Sequence, residues 1–210
     1  MTHFIAGIFD IVVGSVMLLI FMRFMMQFAG IDDKDPVGKP IYNATRLVDV
    51  FARIFPTLGN GKISVSAIVL MLLLRLIFIW GVVGMMREDS QNLGLFSMPE
   101  LTMAMVDDLS RHFSPLMMLF VAMTTLIVDF LKMCQYLIIG SFVAGWVVFF
   151  TQKLPPILGL LTQLSEPLIQ PFRKLLPDMG MLDLAPMIGF FAIILLEMVV
   201  QTFAVYLFTL

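Results

Sequence analysis

The chain has 210 residues, 60% of them apolar and 13% charged, against roughly 45–50% and about 25% in an ordinary soluble domain. One water-soluble core could not hide that much apolar surface, so the protein is an integral membrane protein. Its net charge of -2 lacks the basic footprint of a direct nucleic-acid binder, and its single cysteine, Cys134, excludes a disulfide framework.

A bilayer-crossing helix takes roughly 20 mostly apolar residues, and the first such stretch is 4–29. Asp10 stands where a secretory signal would be positive, and no small-residue cleavage site follows, so this is expected to be a retained span. In the following loop, Ile41, Ala44, Leu47, Val48, Phe51 and Phe55 recur at helical spacing and predict an amphipathic stretch over 41–55. The second span is 63–86, and an acidic connector follows over 87–114 with Glu88, Asp89, Glu100, Asp107 and Asp108. The apolar stretch 115–128 is short for a span and is separated by Asp129 and Lys132 from the third, 133–152. It could lie in the interface or lengthen the third helix. A second amphipathic stretch, 157–176, places Ile157, Leu160, Leu161, Leu164, Leu168 and Phe172 on one side. Pro167 and Pro171 each remove a helical hydrogen bond, which predicts a kink or a break there. This segment lies at the headgroups or dips in beside the spans. The fourth span is 184–210.

The two halves superpose. A shift of 121 residues lays Phe55-Pro56-Thr57-Leu58-Gly59 on Leu176-Pro177-Asp178-Met179-Gly180, and a shift of 119 lays Asp10 on Asp129. The expected fold is therefore an all-α membrane protein with four transmembrane helices in two parallel two-span repeats, 1–86 and 115–210, each with an amphipathic helical loop. Arg23, Lys34, Lys39, Arg46, Arg53, Lys62, Lys153, Arg173 and Lys174 border the two long loops, whereas Arg87 and Arg111 alone border the connector. This bias of 9 to 2 predicts cytoplasmic loops, with both termini and the connector outside.

The segments Arg23-Phe24-Met25-Met26-Gln27-Phe28 and Glu166-Pro167-Leu168-Ile169-Gln170-Pro171-Phe172-Arg173-Lys174-Leu175-Leu176-Pro177-Asp178-Met179-Gly180, completed by Asp183, closely resemble the signatures of the YggT family, also called YlmG. The resemblance covers the whole chain and both repeats. In the amino-terminal copy Arg46, Val50 and Ser64 replace two prolines and the aspartate. The resemblance implies a small bacterial inner-membrane protein, associated in some lineages with osmotic-stress tolerance and potassium uptake, and in others with cell division and nucleoid or envelope organisation.

Chemistry-bearing motifs are thin. His3 and His112 are the only histidines, and metalloprotease, serine-nucleophile and phosphate-loop motifs are missing. The cluster Asp107, Asp108, Arg111 and His112 reads as a solvated face, and Cys134 as apolar packing. No enzyme, metal or cofactor is expected. The residues that require explanation are Arg75 and Glu197, near the centres of their spans, with Asp10, Asp129 and Lys132 nearer the outer edge. A charge at a helix centre costs about 2.5–3.5 kcal/mol on insertion scales, so partners are expected. The repeat register places Arg75 one turn from Glu197 across the pseudo-symmetry axis and predicts that these two pair. Two functions follow: a scaffold or accessory protein whose basic loops dock anionic lipid or a membrane-protein partner, or an oligomeric conduit for potassium or protons.

Overall fold

An unpaired peptide group in hydrocarbon costs several kcal/mol, so an apolar segment with no sheet partners crosses a bilayer as a helix. The structure, a computed structural model, describes residues 2–31, 35–55, 57–58, 62–88, 100–175 and 183–208. Its helices in chain order are α1 (Thr2–Ala29), α2 (Lys39–Ala44), α3 (Leu47–Ala52), α4 (Val65–Glu88), α5 (Glu100–Arg111), α6 (Pro115–Thr151), α7 (Pro156–Arg173) and α8 (Ala185–Phe208). Four of them, over Phe4–Ala29, Val65–Met86, Pro115–Thr151 and Ala185–Phe208, are long and apolar enough to cross a membrane. Among the described residues the protein is all-α, with one antiparallel bridge between Leu58 and Ile63 in the loop before α4.

Residues 115–128 lengthen the third span into a single helix of 37 residues. Pro115 starts it, Gln152 ends it in the left-handed conformation at φ 54°, and no proline interrupts it between. At 1.5 Å per residue it is about 56 Å long, well beyond a hydrocarbon core of roughly 30 Å. The connector is also more ordered than its acidic composition suggested: Met105, Val106 and Leu109 of α5 are buried with residues of α1, α4 and α6. Residues 89–99 lie outside the described set.

The amphipathic stretches depart from expectation in opposite directions. The first, expected as one helix over 41–55, is split into α2 and α3 at Thr45 and Arg46. There the Thr45 hydroxyl donates to the Ile41 carbonyl at 2.6 Å, giving the backbone a local alternative to the helix ladder. The second, expected to be kinked or broken into short helices, is not broken: α7 runs through Pro167 and Pro171. The carbonyl that Pro167 frees is that of Gln163, an exposed residue where water can bond it, while Leu160, Leu164 and Ile169 hold the helix by burial on the opposite side.

Packing pairs α1 with α4 and α6 with α8, and α4 against α6 joins the halves. Phe9 stacks on Phe78 at 5.4 Å between ring centres, and Gly81 admits the Phe9 ring where a Cβ would stand 2.8 Å from it. A second apolar cluster unites Phe21, Met25, Val48, Ala67, Cys134, Leu137 and Leu164, so α2, α3 and α7 gather at the loop end of the bundle. Leu161 reaches Gly140, eleven positions before the end of α6 at Thr151, or about 16 Å along its axis. α7 thus packs along the bundle rather than across its tip.

Candidate functional site

Three polar constellations stand out against this apolar frame. The deepest surrounds Arg75 on α4, only 2% exposed. Its Nη1 lies 3.1 Å from Asp129 Oδ2 on α6, its Nε donates to Thr125 Oγ1 at 2.9 Å, and its guanidinium sits 5.1 Å from the centre of the Phe78 ring. Its Nη2 has no hydrogen-bond partner. A cleft of about 250 Å³ opens there, lined among others by Asp10, Arg75, Asp129 and Lys132. The two carboxylates that the repeat register equates, Asp10 and Asp129, therefore line one cleft with Arg75.

The expected pairing of Arg75 with Glu197 is incorrect. Glu197 on α8 accepts from Gln135 Nε2 at 2.8 Å and from Gln201 Nε2 at 2.9 Å. The reason is packing: α4 lies on α6, whose facing carboxylate is Asp129, so Arg75 finds its partner there. Asp129 was expected near the outer edge, pairing locally or snorkelling, but it is 7% exposed and held between repeats. Thr125, Gln135 and Gln201 went unremarked in the sequence, although polar residues at one-turn spacing from a buried charge are the signal that would have marked Thr125.

The second constellation secures the first loop. Arg23, 7% exposed at the end of α1, pairs with Asp49 of α3, donates to the Thr45 carbonyl at 2.9 Å and lies 4.9 Å from the Tyr42 ring centre. It bonds the Tyr42 and Thr45 carbonyls at the break between α2 and α3, so the Arg of the first signature is a fastener for the loop. Gln27, one turn further on, is half-buried.

The third gathers the second signature. Arg173 at the end of α7 makes two bonds to Asp183 Oδ2, from Nε at 3.0 Å and from Nη2 at 2.8 Å, and a third from Nη1 to Glu166 Oε1. Glu166 precedes Arg173 by two helical turns and so shares its face. Asp183 also accepts from the Ala185 N–H at 2.9 Å, capping the start of α8. The hydrogen bond to Asp183, with the charges of Asp183 and Glu166, raises the pKa of Arg173 above its already high value. Lys174 is exposed beside it, and Pro177 and Gly180 of the signature lie outside the described residues.

These charges stand at the mouth of an apolar groove of about 480 Å³ whose far wall is Phe142, Trp146 and Phe149 of α6. By contrast, Asp107 pairs with Arg111, and His112 Nδ1 lies 3.6 Å from an Asp108 oxygen, on the exposed side of α5. Among the described residues no group of three or more His, Cys, Asp or Glu side chains is placed to hold a metal.

Two repeats of two spans, each followed through its loop to a converging signature, define a class of small polytopic membrane proteins. The chain matches the CCB3/YggT family over residues 2–85 and 117–204, one match per repeat, and belongs to that family. It is 33% identical over 189 residues to an uncharacterized protein of Pseudomonas aeruginosa, covering 89% of this chain and 83% of that one. A second relative, an uncharacterized protein of Haemophilus influenzae, is 51% identical over 35 residues, 17% of this chain and 19% of the other. No solved structure matches the chain.

Proposed function

We propose that the protein is a non-enzymatic scaffold or accessory factor of the bacterial inner membrane, acting in envelope, osmotic-stress or cell-division physiology. Both termini and α5 face outward, the two long loops face the cytoplasm, and the exposed side of α7 around Gln170 meets a membrane-protein partner or a second copy. What supports this reading is the Arg75 site: the charge a conduit would use at mid-membrane is buried between α4 and α6 and bonded to Asp129 and Thr125, as a fastener between repeats would be. In-cell photocrosslinking from Gln170, exposed on α7, tests it. Recovery of one defined membrane-protein neighbour supports the reading, and failure to capture any overturns it.

One observation favours the competing function, an oligomeric potassium or proton conduit. The unpartnered Nη2 of Arg75 adjoins a cleft with four charged side chains, a place where water and ions are at home inside a membrane. Purified protein in liposomes distinguishes the two: potassium or proton flux that Arg75→Met abolishes favours the conduit.

A further inference from the structure

We infer that the groove between α6, α7 and the start of α8 binds a phospholipid whose headgroup carries a primary ammonium, with the ammonium at Glu166 and the acyl chain along Phe142, Trp146 and Phe149. The inference stands independently of the accessory role.

Charge is the first reason. Arg173 carries one positive charge and its partners Glu166 and Asp183 carry two negative ones, so the mouth of the groove is left with one negative charge in excess. Lys174 does not line the groove. A headgroup of net negative charge would add to that excess, whereas a zwitterionic one adds none and can set its ammonium against Glu166.

Hydrogen-bonding capacity is the second. Glu166 gives Oε1 to Arg173, and its Oε2 accepts nothing among the described residues. Arg173 has five N–H groups, of which three are used here. Among the described residues the groove therefore offers one carboxylate acceptor beside two guanidinium donors, none of them bonded, and a phosphate bearing an ethanolamine ammonium presents the complementary pair. A quaternary ammonium has no N–H to give to Oε2.

The groove's walls supply the third. Its volume of about 480 Å³ falls in the roughly 300–1,000 Å³ range of small-molecule sites. Trp146 and Phe149 are 42% and 49% exposed on α6, a helix long and apolar enough to cross a membrane, so their rings are open to an acyl chain. Stability does not account for the charges: ion pairs with 43–48% exposed side chains hold a fold weakly.

The test is competition on the full-length protein in detergent, offering equal amounts of phosphatidylethanolamine, phosphatidylglycerol and phosphatidylcholine with identical acyl chains, and reading retained lipid by native mass spectrometry. Phosphatidylethanolamine should be retained about tenfold over each competitor, as one charge-assisted hydrogen bond provides. Stepwise N-methylation of the headgroup should erode that preference on the unaltered protein. Glu166→Gln should bring the three lipids to near parity while leaving the bonds of Arg173 to Asp183 in place. Trp146→Ala should weaken all three without changing their order. Equal or better retention of phosphatidylglycerol, indifference to methylation, or retention of no lipid would each overturn the proposal, the last in favour of a protein segment in the groove.

Discussion

Arg75 on α4 and Asp129 on α6 lie 3.1 Å apart with side chains only 2% and 9% exposed, and their bond ties the first repeat to the second. Both side chains are buried, so each relies on the other for much of its compensation. Removing one partner strands the other in low dielectric and should cost about 3–5 kcal/mol, whereas replacing both with apolar residues of similar volume should be far better tolerated. Thermal unfolding in detergent of Arg75→Met, Asp129→Leu and the double variant is expected to show strong coupling. Additive losses would mean that the pair contributes no joint energy.

Glu197 supplies the complementary expectation. Its carboxylate is held by two amide donors, Gln135 and Gln201. Glu197→Gln keeps an acceptor and should change stability little. Glu197→Leu leaves both amides unpaired, a loss of about 1–3 kcal/mol. In combination with Arg75→Met, the effect of Glu197→Gln should be additive within about 0.5 kcal/mol, because the two side chains share no partner. A large coupling in that double variant would restore the direct pairing that the repeat register suggested.

The four spans, the need for partners at Arg75 and Glu197, and the two-repeat plan were legible because hydropathy and burial cost act on single residues and short windows. Partner choice was not. Arg75 could be matched to any carboxylate at its depth until α4 was known to lie on α6, and only that contact selects Asp129 over Glu197. Thr125 and Asp129 share a helix face, one turn apart, which becomes informative once the neighbouring helix is known. At Pro167 and Pro171 the local cost of proline is visible in the sequence, but the burial of Leu160, Leu164 and Ile169 that keeps α7 from breaking there is not. Glu166 and Arg173 share a face two turns apart, but the bond from Arg173 to Asp183, beyond the end of α7, joins positions that no periodicity connects.

Arg23 predicts a local effect without a global one. Its side chain is buried, while that of Asp49 is 60% exposed, so the bonds to the Thr45 and Tyr42 carbonyls matter more than the ion pair. Arg23→Ala should open the loop from α2 to α3 and raise the rate of tryptic cleavage at the exposed Arg46 and Arg53 by on the order of tenfold, since cleavage follows the population of the open form. Asp49→Ala should have a much smaller effect. Arg23→Lys should restore protection only in part, because one ammonium cannot reach at once the Thr45 and Tyr42 carbonyls that Nη1 bonds and the Asp49 carboxylate that Nη2 bonds. Unchanged cleavage in Arg23→Ala would show that apolar contacts alone hold the loop.

Orientation can be read with cysteine chemistry because the native thiol is out of reach: Cys134 is 2% exposed. Single cysteines at His112, after α5, and at Lys153, after α6, both replace exposed side chains away from the three polar constellations. The excess of Lys and Arg around the long loops places Lys153 in the cytoplasm and His112 outside. A membrane-impermeant maleimide applied to intact spheroplasts should therefore label His112→Cys and spare Lys153→Cys until the membrane is permeabilised, with the parent protein unlabelled in both conditions. Labelling of Lys153→Cys in intact spheroplasts would invert the topology and place α7, with its groove, in the outer leaflet. The lipid-retention experiment in detergent would be unaffected by that inversion, so the two results can be judged separately.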